Sequence, residues 1–122
     1  VYEAVLRAYA QGDVEALRPL LSADVLDVFA ASCAERAARG ETLEMTLLGI
    51  DGAEIAHVWT QPDATEIAVL FRARVTRVER SASGDVVGGD PEAVATTGDL
   101  WTFARPASTT SAEWLIVATD EI

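Results

Sequence analysis

Lysine is missing from this chain of 122 residues, and its nine cations are all arginine, set against twenty acids for a net charge of −11. That balance repels nucleic acid and anionic headgroups, so no nucleic-acid partner is expected. Membrane contact through this segment alone would require its arginines to gather on one face. We read the absence of lysine beside 22 alanines as genomic base composition rather than function. Cysteine is nearly missing too. Cys33 stands alone, which excludes a disulfide framework and a thiolate zinc set, and on an apolar helix face it reads as a small core residue. No apolar run approaches the ~20 residues that span a bilayer. No signal peptide, internal repeat, phosphate loop, nucleophile motif or metal constellation is expected within these residues. No cofactor is expected.

Half of the residues are apolar, enough for one domain over residues 1–122 that buries about two-thirds of the surface its unfolded chain exposes. The chain opens at Val1, inside a helical pattern, so an upstream anchor or linker is expected outside this segment.

The first third is helical. Val1, Ala4, Val5, Ala8 and Tyr9 recur at helical spacing, and Gly12 supplies a left-handed stop. Asp13 caps a short second helix to about Leu21, interrupted or bent at Pro19. Ser22 or Asp24 opens a third helix, with Val25, Val28, Phe29, Ser32 and Cys33 on one face. Arg36 and Arg39 favour its negative end and Gly40 closes it. From Leu43 the period becomes two. Leu43, Met45 and Leu47 share a face; after an Asp51-Gly52 turn, Ile55, His57 and Trp59 share another. Pro62-Asp63 makes the next turn. In the long strand after it, Ile67, Val69, Phe71, Ala73 and Val75 oppose Ala68, Leu70, Arg72, Arg74 and Thr76. Residues 81–91 read as a loop, and 98–105 and 112–119 as two more strands. Helices followed by an antiparallel meander predict an α+β fold, with helices packed on one face of a curved sheet.

Few side chains carry chemistry. Trp101, Phe103 and Arg105 share a strand face with Asp99, an arrangement suited to a core wall with a rim arginine or to a pocket gripping an apolar ligand or a peptide. His57 is the only histidine. It becomes an acid–base group if a carboxylate such as Asp99 lies beside it; otherwise it is a sheet-edge histidine. Arg72, Arg74 and Arg80 have one strand parity and Arg77 the other. They form either a positive stripe or cross-strand pairs with Glu44, Glu54 or Glu113. Gly88-Gly89-Asp90-Pro91 lacks the spacing of a phosphate loop and reads as a turn permitting positive φ.

The segment from Asp85 to Arg105, with its Gly-Gly-Asp-Pro element and Asp99-Leu100-Trp101-Thr102-Phe103-Ala104-Arg105, is followed by the tryptophan strand Glu113-Trp114-Leu115-Ile116-Val117. This order resembles the C-terminal domain family of subunit 44 of the mitochondrial inner-membrane translocase. Ala10-Gln11-Gly12-Asp13 and Leu17-Arg18-Pro19-Leu20-Leu21 resemble that family's opening helical pair, Phe29 its next helix, and residues 65–119 its strand order. The resemblance implies a cone-shaped α+β domain of the nuclear-transport-factor-2-like, cystatin-like type, able to hold an apolar cavity between sheet and helices. It also implies a non-enzymatic protein-binding domain linked to protein translocation or membrane-protein assembly. The composition points to a bacterial homologue, and the resemblance implies that it is held at the cytoplasmic side of the inner membrane, peripherally or through its upstream segment. The expected partner is a client polypeptide or a chaperone. Trp59, Trp101, Phe103 and Trp114 would supply apolar contact, with Arg72, Arg74 and Arg105 for orientation. The alternative is a small-molecule-binding or isomerase/dehydratase-like enzyme of the same cone fold, using His57 and one carboxylate. An architectural docking role is a third.

Overall fold

The computed structural model describes residues 1–106 and 114–121. Three helices, α1 (Tyr2–Gln11), α2 (Val14–Leu17) and α3 (Ala23–Ala38), precede four strands: β1 (Thr42–Thr60), β2 (Ala64–Arg80), β3 (Val86–Pro106) and β4 (Leu115–Glu121). The strands form one antiparallel sheet in the order β1-β2-β3-β4, curved and unclosed. The α+β expectation holds.

Local chemistry sets the helix ends. Gly12, at φ 70°, turns α1 off, its N–H directed to the carbonyls of Ala8 and Tyr9. The Asp13 carboxylate accepts from the Ala16 amide at 3.1 Å and opens α2. That helix ends at Leu17, well before Leu21. Leu21 instead forms a parallel bridge with Ile116, where Ser22 N donates to Ile116 O and Ile116 N to Leu20 O, both at 2.9 Å. Ser22 is the cap of α3, accepting from Val25 N.

The buried faces are rotated from the expected ones. On α1 they are Tyr2, Val5 and Ala8, with Val1 exposed; a tyrosine ring at Tyr2 removes far more apolar area from water than Ala4 would. On α3 they are Leu26, Cys33 and Arg36, while Val28 is 68% exposed. Arg36 stays buried because α1 needs it. Its Nη2 donates to the Tyr9 carbonyl at 2.5 Å and its guanidinium lies 4.9 Å from the Tyr9 ring centroid. A cation at the C-terminal end of α1 is favourably placed against the helix dipole. Leu17 and Ile116 are fully buried and join Tyr2, Val5, Trp101 and Ala73 in one core between helices and sheet.

The sheet departs from simple alternation. No turn exists at Asp51-Gly52: β1 runs through, with register shifts that leave Leu48, Asp51 and Ala56 as extra residues against β2. Each extra residue reverses the parity of the strand beyond it and adds twist. Ile55, opposite Val69, therefore faces the helices, whereas His57 and Trp59, opposite Ala68 and Glu66, face outward. The expected common face for these three does not form. The expected loop at 81–91 is also shorter. Ser81 N bonds Asp85 O at 2.8 Å, and β3 starts at Val86, so Gly88 and Gly89 pair with Glu79 and Val78. Gly89 has φ 70°, and a side chain there would run into the Arg77 carbonyl. Residues 91–94 have no counterpart on β2, which suits Pro91, a residue without an amide to donate. The fourth strand begins at Leu115; residues 112 and 113 of the expected strand, Glu113 with them, lie outside the described residues.

Candidate functional site

The register sorts the anticipated residues onto two faces, since directly opposed residues of an antiparallel pair share a side. Trp101, Phe103 and Arg105, opposite Val69, Ile67 and Thr65, occupy the helix-covered face with Asp99. Arg72 and Arg74, opposite Gly52 and Gly49, point outward with His57 and Trp59. The seven residues do not converge on one patch.

On the outer face, Arg74 Nε reaches both Asp51 oxygens at 3.0 Å. A Cβ at Gly49 would lie 2.6 Å from the Arg74 guanidinium, so glycine opens the path to Asp51. Arg80 pairs with Glu44 at 3.6 Å and Arg77 with Glu79 at 2.7 Å. Cross-strand and local pairing therefore consume most of the expected stripe, with Asp51 an acceptor not anticipated. Arg72 is exposed and has no ion pair among the described residues. Trp59 is 41% exposed, its ring 4.2 Å from that of His57. Arg105 lies 5.1 Å over the Trp114 ring near the C-terminal end of β3.

On the inner face, Trp101 is only 4% exposed, wedged against Tyr2 (centroids 4.7 Å apart) and Phe71 (5.6 Å). It is core first, and cannot offer a partner the wide apolar contact expected of it. Phe103 is half-buried beside Phe71 at 6.4 Å. The same region holds a half-open cleft of about 370 Å³ between α1, α3 and the sheet. Tyr2, Tyr9, Phe29 and Trp101 contribute aromatic lining; Asp99 and Glu121 contribute carboxylates, with Asp120 at the border, and Arg77 a guanidinium.

Tyr2 and Asp99, 97 positions apart, meet in this cleft. The phenol donates to Asp99 Oδ2 at 2.5 Å, with Thr97 Oγ1 at 3.4 Å. Burial of the ring, and then the bond to Asp99, push the phenol up to about 12. It therefore stays protonated and remains a donor at neutral pH. His57 is elsewhere: exposed, outward-facing and opposite Ala68 rather than Phe71, the partner of Asp99. No acid–base pair of His57 and Asp99 is assembled. The described residues contain no group of three His, Cys, Asp or Glu side chains suited to a metal.

Sequence reasoning missed Tyr2, Tyr9, Asp120 and Glu121 as cleft residues. The spacing of Tyr2, Val5 and Tyr9 along one helix face was the available signal; nothing local ties Asp120 or Glu121 to it.

Helices covering one face of an unclosed, curved antiparallel sheet, with a cleft between them, define a cone-type α+β domain. A model of the Tim44-like domain matches residues 1–121, and the chain belongs to that family. The family is one of membrane-associated, translocation-related domains that interact with proteins. Among solved structures, the intermembrane space region of the chloroplast protein ARC6 superposes with a TM-score of 0.59 at 15% identity, over 95% of this chain and 86% of that one. That likeness concerns the fold. No curated protein matches the chain in sequence. No described helix is long and apolar enough to cross a membrane.

Proposed function

We propose that this domain is a non-enzymatic, peripheral protein-binding module of an inner-membrane translocation or assembly system, of bacterial origin and facing the cytoplasm. The observation that supports it is the outer half of β1. From Glu54 to Thr60 every residue is exposed, and β1 is an edge strand of the described sheet. Ile55, Val58 and Trp59 are 65%, 51% and 41% exposed. An uncovered edge bearing apolar residues on both faces is a template for another chain. An extended segment of a client or partner protein would add as a further strand, its backbone supplying affinity and its side chains meeting Ile55 and Val58 inside and Trp59 outside. Arg72 would orient an acidic flank on the outer face, beside Arg74, which Asp51 holds. Arg105, stacked on Trp114, would do so at the end of the inner face, beyond Phe103 and the buried Trp101.

The test is capture of crosslinked partners from native membranes by the wild-type domain and by Ile55→Glu and Trp59→Ala variants. Circular dichroism and urea unfolding establish that each variant remains folded. The proposal expects the partner bands to fade in both variants. Undiminished capture by both would refute it.

A further inference from the structure

We propose that the cleft between α1, α3 and the sheet is a binding site for an organic cation, an ammonium or guanidinium head on a flat apolar body. The proposal goes beyond the protein-binding reading, which concerns the other end of β1, and stands or falls separately from it.

Three features of the cleft agree. Its size, about 370 Å³, falls at the small end of ligand pockets, which begin at roughly 300 Å³. Its walls are aromatic on both sides. Tyr2 packs against Trp101 at 4.7 Å, and Tyr9 meets Phe29 edge-on at 5.4 Å across α1 and α3. Tyr2 and Trp101 spend their faces on each other and on Phe71, so a flat apolar group or a cation meets the half-buried Tyr9 and Phe29 rings. The charge is one-sided. Asp99 and Glu121 are direct partners across β3 and β4, so their side chains leave the same face, while Asp120, opposite Leu100, alternates to the other face and only borders the cleft.

None of these acids is neutralised within the described structure. Asp99 accepts from the Tyr2 hydroxyl alone, and Asp120 and Glu121 form no ion pair, among the described residues. The one guanidinium in the lining, Arg77, is held by Glu79 at 2.7 Å. The hydroxyls of Ser32, Thr97 and Thr119 add acceptors for N–H donors. An anion entering the cleft meets the carboxylates of Asp99 and Glu121. A neutral ligand gains only the aromatic walls, whereas a cation gains both attractions.

The experiment titrates the folded domain with 2-phenylethylammonium, its neutral counterpart 2-phenylethanol and its anionic counterpart 3-phenylpropionate. Indole N–H resonances report the outcome, with Trp59 and Trp114 as controls remote from the cleft. The proposal expects a saturable shift of Trp101 with the ammonium, at least about tenfold weaker binding of the alcohol, and no binding of the acid. Glu121→Gln, at an exposed position on the cleft-facing side, should lower affinity for the ammonium about three- to tenfold without moving the Trp101 resonance of the free protein. The alcohol binding as tightly as the ammonium would overturn the proposal. So would preference for the acid, equal shifts at all three indoles, no Trp101 shift up to about 10 mM, or unchanged affinity in Glu121→Gln.

Discussion

Replacing Tyr2 by phenylalanine tests how the opening helix is tied to the far end of the sheet. The ring of Tyr2 is 3% exposed and stacks 4.5 Å from Phe71, and phenylalanine preserves that packing. What disappears is one hydrogen bond from the phenol to a carboxylate. Bonds to charged groups contribute about 1.5–3 kcal/mol. Water entering through the open cleft can take over part of the solvation of Asp99, so the expected loss at pH 7 is about 1–2 kcal/mol. The pH dependence gives a second, independent reading. The folded-state phenol titrates at about 12 against an ordinary 10.0. Between those values the unfolded chain releases the proton first, so stability falls as pH rises. The contribution is complete below pH 10 and gone above pH 12. Two units correspond to about 2.7 kcal/mol, and solvent reaching the hydroxyl through the cleft screens this to about 1–2 kcal/mol. Urea unfolding of both proteins from pH 7 to 12 measures both effects. The wild type should lose its advantage over Tyr2→Phe across pH 10–12. An advantage below about 0.3 kcal/mol at pH 7, or one that persists above pH 12, would refute the reasoning.

Other substitutions separate core from surface. Trp101→Ala should cost about 3–5 kcal/mol in denaturant unfolding, as deletion of a buried indole does. Arg36→Met keeps the volume but removes the donor to the Tyr9 carbonyl; a loss of about 1–2 kcal/mol is expected by the same assay. Gly89→Ala should cost more than about 2 kcal/mol, since the new side chain meets Arg77 and Val78 backbone at positive φ. Gly52→Ala, with open space around it, should stay within about 0.5 kcal/mol of wild type. Arg74→Ala breaks an exposed pair and should change stability by less than about 1 kcal/mol.

Local signals were legible in the sequence where they act locally. Gly12 ends α1 and Ser22 opens α3 because each satisfies backbone groups within its own turn. The alternation of Asp99, Trp101, Phe103 and Arg105 survived intact because no extra residue interrupts the pairing of that segment with β2. The β1 reading failed for the opposite reason. Gly49 and Gly52 adjoin two of its extra residues and were the available hint, but Asp51-Gly52 also spells a turn; Ala56 carries no hint at all. One uncounted residue was enough to move His57 and Trp59 to the outer face. The cleft was hidden for another reason. It depends on Tyr2, Phe29, Asp99 and Glu121 arriving from four separate elements, and periodicity within one element cannot report such convergence. Arg36 illustrates the same limit: an arginine in a last helical turn reads as a solvated cap of its own helix, yet it serves the end of α1.

The central claim, that partners dock on the open edge of β1, is tested most directly by a photo-crosslinking residue placed at Val58 and, separately, at Glu15 on α2, both exposed. Irradiation in native membranes should give discrete protein adducts from position 58 that are lost with Ile55→Glu, and none of them from position 15. The same adducts from both positions, or adducts at 58 that survive Ile55→Glu, would contradict the account.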